Sequence, residues 1–175
     1  MSTLTIILLV IGCIIALPLI LAIFARKNYF VERTITLNAP NEKVFAYLKL
    51  QKNQNNFNKW VMVDPDMKKE YKGTDGTVGF VYAWNGNKQA GEGELEIKNI
   101  IEGKHFETEV RFVRPMPGIA QAKWTMEALG NQTKVTWSNA SKLKYPFNLM
   151  TPMIEKLLGK DMDVSLQNLK TILEN

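Results

Sequence analysis

The feature that most constrains this chain is an apolar run from Leu4 to Phe24, which contains no charged residue. As an α-helix, about 21 residues rising about 1.5 Å each would extend roughly 32 Å, close to the ~30 Å hydrocarbon core of a bilayer. Apolar residues occupy every face of that helix, which is typical of a membrane span and not of an amphipathic surface helix. Pro18 lies inside the run, and membrane helices tolerate proline better than soluble ones do. We therefore predict a transmembrane anchor within residues 1–27.

Three other interpretations of this run are weaker. A cleaved signal peptide has a basic stretch before its apolar segment, but here the basic residues Arg26 and Lys27 follow the segment. A lipoprotein signal is suggested by the stretch Val10–Cys13, yet the apolar run continues well past that cysteine. A buried core helix is the third alternative, and a helix without a polar stripe has no face to present to water.

The charges on either side of the predicted span indicate its orientation. Arg26, Lys27 and Arg33 follow it, whereas only an uncharged head, Met1–Thr3, precedes it. Because basic flanks tend to stay in the cytoplasm, we expect residues 28–175 to lie on the cytoplasmic side of the membrane. Attraction of such side chains to anionic lipid, about 1 kcal/mol each, would hold the domain near the bilayer surface.

The composition after the span predicts one globular domain. The whole chain is 46% hydrophobic and 22% charged, and the roughly 150 residues after the span are enough for one domain with its own core. Cys13 is the single cysteine and His105 the single histidine, so neither an intrachain disulfide nor the usual nitrogen and sulfur ligands of zinc can be assembled. We predict no metal site and no cofactor.

The net charge of +5 raises the question of nucleic-acid binding. The lysines are scattered and interleaved with glutamates, and the predicted aromatic and charged faces are opposite each other. Binding of single-stranded nucleic acid needs aromatic and basic side chains on the same exposed face. We therefore predict a mixed solvated surface and no nucleic-acid partner.

Alternation of apolar and polar residues predicts an antiparallel sheet in the first part of the domain. A strand around Val31–Leu37 is followed by a turn at Ala39-Pro40 and a short helix over Glu42–Leu50. Further strands are predicted up to about Ser138, with the short, charged stretch Lys68–Lys72 as an edge candidate.

The spacing of apolar residues then changes from two to three and four. From about Pro146 to Leu173 this spacing predicts one long amphipathic helix, with Gly159 as the candidate position for a bend. The apolar stripe of this helix must be covered, and the buried face of the sheet is the only surface large enough. The predicted fold is α+β: a curved antiparallel sheet of about six to seven strands around a long C-terminal helix, preceded by the transmembrane helix.

This order of elements resembles the helix-grip fold of the START-like (SRPBCC) superfamily, and most closely its polyketide cyclase/dehydrase-like branch. Short motifs over about residues 30–175 carry the resemblance: Arg33-Thr-Ile-Thr-Leu-Asn-Ala-Pro40 with Val44-Phe45, Trp60 with Asp64-Pro65, Gly76-x-x-Gly79, Gly91-Glu-Gly93 and Leu166-x-x-Leu169-Lys170. The resemblance implies a hydrophobic cavity between the sheet and the long helix, used for lipids, quinones, polyketides or other apolar ligands.

Inward aromatic residues are the candidates for the wall of such a cavity, because ligand sites are largely apolar with a few polar groups. Small inward residues such as Ala120 and Ala122, and methionines on the helix, would leave adaptable space. The same side chains would also suit an ordinary packed core. The predicted cavity residues are Trp60, Tyr82, Trp84, Thr108, Phe112, Trp124, Met126, Trp137, Met153 and Leu157.

No residue pattern predicts a catalytic site. His105 follows a turn and is expected to be solvated, the serines lack the context of a nucleophile elbow, and Glu92, Glu94 and Glu96 lie on the wet face of their strand. The leading hypothesis is a membrane-anchored, non-catalytic binding protein for a hydrophobic small molecule or lipid. The alternatives are a cyclase/dehydrase-type enzyme acting in the same cavity, and a protein-interaction module of the chaperone-activator type.

Overall fold

The computed structural model describes residues 2–175, and over that range the chain forms five α-helices, seven β-strands and two 3₁₀ turns. The helices α1 to α5 are Thr3–Phe24, Asn41–Lys49, Gln54–Phe57, Lys59–Met62 and Thr151–Glu174. The strands β1 to β7 are Asn28–Leu37, Lys68–Lys72, Val81–Asn85, Glu92–Ile101, His105–Arg114, Gly118–Leu129 and Gln132–Lys142. The 3₁₀ turns are Gln51–Asn53 and Phe147–Met150.

The strands form one sheet in the order β1-β7-β6-β5-β4-β3-β2, and every neighbouring pair is antiparallel. β1, the first strand along the chain, forms one edge of the sheet and pairs with β7, the last strand. β2 forms the opposite edge, which confirms the edge position predicted for Lys68–Lys72. The α+β class and the sheet with its long C-terminal helix are likewise confirmed.

Helix α5 packs on the concave face of the sheet through its second half. Met162, Leu166, Leu169 and Leu173 are all buried, and their spacing of four, three and four places them on one face of the helix. They belong to the same hydrophobic core as residues of β1, α2, β6 and β7. The packing therefore brings the first strand of the domain, β1, into one core with its last helix, α5.

Gly159 has a steric role in α5, which runs through this residue without interruption. A Cβ built on Gly159 would overlap the guanidinium group of Arg33, which reaches across the helix from β1. The same guanidinium forms an ion pair with Asp163, one turn further along α5, at 3.0 Å between Nε and Oδ1. The glycine therefore gives Arg33 room to cross the helix.

Strand β3 is shorter than the alternation of apolar residues predicts. Alternation suggests a strand from Val78, but β3 begins at Val81 because Gly76 and Gly79 adopt positive φ angles of 78° and 85° in the preceding turn. The Asn85-Gly86-Asn87 stretch, which indicates a tight hairpin, instead begins a longer loop that reaches β4 at Glu92.

Helix α1 stands apart from the core, and Ala22 is its one buried residue. By length and composition it could cross a membrane, a property that signal sequences near an N-terminus share. Its last turn is nevertheless attached to the domain. The buried side chain of Asn148 donates from Nδ2 to the carbonyl oxygens of Ala22 at 2.6 Å and Ala25 at 3.0 Å. These bonds satisfy carbonyl groups that a helix end leaves without partners.

Gly93 provides the first test of this packing. It lies between Trp84 and Phe112 on the neighbouring strands, and a Cβ there would be 2.7 Å from Trp84 Cζ2 and 2.6 Å from the carbonyl oxygen of Arg111. Because backbone and indole must both move, we expect Gly93→Ala to lower the free energy of unfolding by about 1–3 kcal/mol in denaturant titrations of the detergent-solubilised protein. Gly118→Ala is the control, since beyond its chain neighbours a Cβ there would have no atom within 4 Å. Equal stabilities of the two variants would contradict this account.

Candidate ligand-binding cavity

A cavity of about 350 Å³ lies between the concave face of the sheet and the first half of α5. Small-molecule sites have volumes of about 300–1,000 Å³, so this one is at the lower end of that range. Strands β3 to β7 form its floor, and Ile154, Leu157 and Leu158 of α5 cover it. One side is closed by Gln54 of α3, Trp60 of α4 and Asn58, which lies between these two helices.

Eight of the ten predicted cavity residues line this space. They come from α4, β3, β5, β6, β7 and α5, which the fold brings around one volume: Trp60, Tyr82, Trp84, Thr108, Phe112, Trp124, Trp137 and Leu157. That they contact a ligand stays a prediction.

The other two predicted residues, Met126 and Met153, do not line the cavity. Met126 does point inward from β6, but it lies two residues beyond Trp124 and is buried in the packed core. Met153 is 49% exposed on α5. Met153 lies one helical turn before Leu157 and about 100° around the axis from Ile154, so it is at the exposed outer edge of the face that covers the cavity.

Several lining residues were not predicted from the sequence. Every second residue of β1 and of β7 points inward, and Tyr29 and Asn139 each lie two residues from an inward residue that the alternation identifies. Extending the predicted strands by two residues would have included both. Ile154 and Leu158 share the helix face of Leu157. Further unpredicted lining residues come from loops and short helices, where no periodic pattern marks them: Gln54, Asn58, Met67 and Gln89.

Stacked indole rings make one wall of the cavity rigid. Trp124 and Trp137 pair across β6 and β7, and their ring centroids are 4.2 Å apart with planes inclined by 15°. Trp60 of α4 meets Trp137 edge to face at 5.7 Å. Such pairs contribute about 0.5–1.5 kcal/mol beyond the burial of their surface, so this wall keeps its shape whether or not the cavity is filled.

The opposite wall is also aromatic. Trp84 lies 6.0 Å from Tyr82 and 6.2 Å from Phe112, measured between ring centroids. Its indole Nε1 donates to the carbonyl oxygen of Ala90 at 3.1 Å, which holds the ring in place over Gly93. Aromatic surface therefore faces the cavity from two sides.

Three buried polar atoms on the lining have no hydrogen-bond partner within residues 2–175. They are the hydroxyl oxygens of Tyr82 and Thr108 and the indole Nε1 of Trp137. A buried polar group without a partner costs about 1–3 kcal/mol. The indole group can only donate, and each hydroxyl can donate or accept. Because they belong to β3, β5 and β7, they are spread across the sheet and are candidate partners for separate polar atoms of a ligand.

Burial raises the pKa of Tyr82 well above its ordinary value, and the neighbouring Tyr71 raises it further. Loss of water disfavours the charged phenolate, so the hydroxyl keeps its proton throughout the physiological range. Tyr82 is therefore available as a neutral hydrogen-bond donor.

Among the cavity-lining residues within 2–175, two are charged, Asp161 and Arg114, and each already has a partner of opposite charge. Asp161 contacts Lys59 Nζ and accepts from Trp60 Nε1 at 3.1 Å. Arg114 lies at the open end, where it bonds Glu92 at 2.7 Å and Asn85 at 2.7 Å. Neither group presents a free charge to the cavity.

The other groups considered for catalysis lie elsewhere. His105 is the first residue of β5, half-buried and outside the cavity lining, with Nε2 3.7 Å from Glu107 Oε1. Glu94 and Glu96 bind Arg111 at 2.6 and 2.8 Å in a network of charged side chains. Over residues 2–175, no three His, Cys, Asp or Glu side chains are grouped as metal ligands would be.

A curved antiparallel sheet that closes on a long C-terminal helix over an apolar cavity defines a helix-grip protein of the START-like type. A family model described as polyketide cyclase / dehydrase and lipid transport matches residues 30–174. The chain therefore belongs to that family, and the resemblance seen in the sequence is confirmed. No curated protein matches it by sequence.

Solved structures show the same fold at low sequence identity. A Chromobacterium violaceum protein is 13% identical, with a TM-score of 0.61 over 83% of this chain and 97% of its own. The Aha1 dimer from Colwellia psychrerythraea is 18% identical, with a TM-score of 0.57 over 83% of this chain and 96% of its own. CalU16 from Micromonospora echinospora is 11% identical, with a TM-score of 0.56 over 84% of this chain and 85% of its own. At these identities the comparisons support the fold alone.

The unpartnered hydroxyl of Thr108 leads to a prediction about stability. Thr108→Val keeps the shape and removes the unpartnered group, so we expect the delipidated protein to gain about 1 kcal/mol of unfolding free energy in denaturant titrations. The matched control is Thr133→Val, because Thr133 is equally buried but its hydroxyl donates to the carbonyl oxygen of Ala39 at 2.8 Å. That variant should lose about 1 kcal/mol. A similar loss in both variants would show that the Thr108 hydroxyl is not a vacant hydrogen-bonding group.

Proposed function

We propose that this protein is a membrane-anchored binding protein that holds an uncharged, largely apolar ligand in the cavity with the help of hydrogen bonds to the ligand's polar atoms, and that it carries out no reaction on that ligand. The observation that carries the proposal is the combination of aromatic walls with three unpartnered polar groups, Tyr82, Thr108 and Trp137, inside one cavity. Lipids, quinones and polyketides all combine apolar surface with such polar atoms.

The cavity surface supports an apolar ligand. Each methylene group moved from water into such a site contributes about 0.8 kcal/mol. The rigid indole pair Trp124–Trp137 is already in place before binding, so little conformational entropy is lost when the ligand enters. The three polar groups then fix the orientation of the ligand.

The charges at the cavity support an uncharged ligand. An anionic head group would need a free cation, whereas Arg114 is engaged by Glu92 at the open end. Asp161 on the lining would oppose an anion, and its pairing with Lys59 leaves it little attraction for a cation. Neutral carbonyl or hydroxyl oxygens match the available donors.

The same groups favour binding over catalysis. A cyclase or dehydrase acting in this cavity would need an acid or base whose pKa lies near the working pH. The raised pKa of Tyr82 keeps its hydroxyl protonated and makes it a poor proton donor, and Asp161 is held by Lys59 and Trp60. The alternative of a protein-interaction module would require a filled core, which the cavity of about 350 Å³ does not favour.

The proposal includes the membrane anchor: residues 1–27 anchor the protein in the membrane, and residues 28–175 form the ligand-binding domain on its cytoplasmic side. Support comes from the length and exposure of α1 and from the basic residues Arg26 and Lys27 that follow it. A ligand that is insoluble in water would then be bound close to the membrane that dissolves it.

Native mass spectrometry of the detergent-purified protein tests the ligand proposal. Ala122 lines the cavity from β6, and Ala122→Phe would fill part of the space. We expect the wild type to carry a small apolar adduct that this variant has lost. The control is Ala128→Phe, since Ala128 lies on the same strand but is exposed. Lipids bound around α1 would persist in both variants, so the difference between their spectra isolates the cavity. A wild type free of adducts in every preparation, or equal adducts in both variants, would refute ligand binding.

Intact mass and protease protection test the anchor. An uncleaved chain of 19.9 kDa in the membrane fraction is expected, whereas a signal peptide would leave a shorter, soluble product. Trypsin should digest the domain in inside-out vesicles and spare it in intact cells. Protection in the vesicles together with digestion in intact cells would place the domain on the other side.

A further inference from the structure

We propose that the open end of the cavity faces the bilayer and that its rim lies in the bilayer surface, so that the ligand passes between membrane and cavity without crossing water. The apolar rim is formed by Phe112, Met116, Phe147, Met150, Met153 and Leu157. This inference rests on the proposed anchor and ligand cavity, and it adds an orientation and a second lipid contact.

The first step is that the end of α1 is held firmly against the domain. Asn148 is fully buried and binds the carbonyl oxygens of Ala22 and Ala25 at 2.6 and 3.0 Å. Thr151, the first residue of α5, donates to the carbonyl oxygen of Arg26 at 3.1 Å. A domain attached in this way cannot swing freely on a linker, so the direction of α1 determines which side of the domain meets the membrane.

The second step concerns how far the domain reaches along α1, and so how close it comes to the proposed membrane. The hydroxyl of Tyr145 donates to the carbonyl oxygen of Leu19 at 3.3 Å. Leu19 lies five residues before Phe24, roughly 7.5 Å along the helix at about 1.5 Å per residue. The segment from Tyr145 to Phe147 therefore runs beside the last turns of α1, where aromatic side chains are favoured at the membrane interface.

The third step places the turn between β5 and β6 at the same end of the sheet. β1 follows α1 directly, and its first residue, Asn28, pairs with Lys142 at the end of β7. The end of β7 lies beside the start of β6. The start of β6 lies beside the end of β5, where Gly118 pairs with Phe112. The turn that carries Met116 thus lies on the side of the sheet from which α1 leaves.

The fourth step is that the cavity is open at this end. Its exposed lining residues are Phe112, which is 39% exposed, Leu157, which is 54% exposed, Arg114 and Pro115 at the turn, and Gln89 in the loop between β3 and β4. That loop is at the same end, because Glu92 at the start of β4 pairs with Arg114. The lining residues Trp124 and Trp137, further along their strands from this end, are buried. A ligand would therefore enter beside the end of α1.

The remaining rim residues extend this apolar surface. Met116, Phe147, Met150 and Met153 are all exposed although each is large and apolar. Contiguous exposed apolar surface around a cavity mouth is typical of a membrane or partner interface, whereas single exposed residues need no explanation.

Charge and continuity favour a lipid surface over a protein partner. The exposed basic residues Lys142, the last of β7, and Lys144 shortly precede Phe147 of the rim along the chain. Lys27, between α1 and β1, lies beside them, because its carbonyl oxygen accepts from the backbone of Leu143 at 2.7 Å. Basic side chains beside the rim would attract anionic head groups while the rim itself lies among the acyl chains. The rim also continues the surface of α1, which is itself exposed and apolar.

Site-directed spin labelling of the full chain in nanodiscs of phosphatidylcholine and phosphatidylglycerol tests this contact. Cys13 is replaced by alanine, and a nitroxide is attached at Met116→Cys or Met153→Cys. The control is Leu129→Cys, which is also exposed but lies at the far end of β6. We expect the rim labels to be reached more readily by oxygen than by a water-soluble nickel chelate, and the control label to show the reverse. Rim labels as accessible to nickel as the control, or broadened by a second rim label, would overturn the proposal in favour of a solvated or self-associated face.

Uptake of pyrenebutanol separates this inference from the ligand proposal. The probe is added from a small volume of ethanol so that it dissolves in the bilayer of the nanodiscs that carry the protein, and energy transfer from the cavity tryptophans reports its entry. The double variant Met116→Glu with Met153→Glu should take up the probe at least tenfold more slowly to the same final level, while Leu129→Glu should match the wild type. Equal rates in all three would overturn the membrane route alone. No uptake by the wild type would overturn the ligand proposal, and with it the passage of ligand.

Discussion

The structure depends on the burial of one apolar stripe of α5 by the concave face of the antiparallel sheet. Only the second half of the helix, from Met162 to Leu173, packs tightly against it. The first half, with Ile154 and Leu157, lies over the cavity. The same contact thus stabilises the fold at one end of the helix and creates a ligand-sized volume at the other. Close packing is the rule in protein interiors, so a hollow of this size maintained by rigid walls is a feature that needs a function.

The chemistry of the cavity follows from which side chains the strands direct into it. Indole and phenol rings supply apolar surface, and they also bring polar atoms that the protein itself does not satisfy at Tyr82 and Trp137. With the hydroxyl of Thr108, these are three unpartnered polar groups among the residues that line the cavity. The paired charges of Asp161 and Arg114 leave no free ion to polarise a substrate. These properties support the proposed binding of an uncharged, apolar molecule.

The attachment of α1 links this cavity to the proposed membrane location. Three residues separate α1 from β1, and Asn148 bonds the last turn of α1 directly to the domain. An anchor fixed in this manner controls orientation as well as position. It would place the open end of the cavity, rather than the charged outer face of the sheet, next to the lipid in which the proposed ligand dissolves.

The sequence by itself determined the elements and their faces, because period-two and period-three-to-four patterns reflect local geometry that each strand or helix imposes on its own residues. It therefore predicted the long helix, the edge strand Lys68–Lys72 and eight residues of the cavity lining. Only the tertiary structure decided which inward residues face packed core and which face open space. Met126 and Trp124 have the same orientation on β6 and belong to the same hydrophobic core, but only Trp124 also lines the cavity. Likewise, Asn58 reaches the cavity because a non-periodic segment folds back over the sheet, and no local pattern encodes a contact made across the chain.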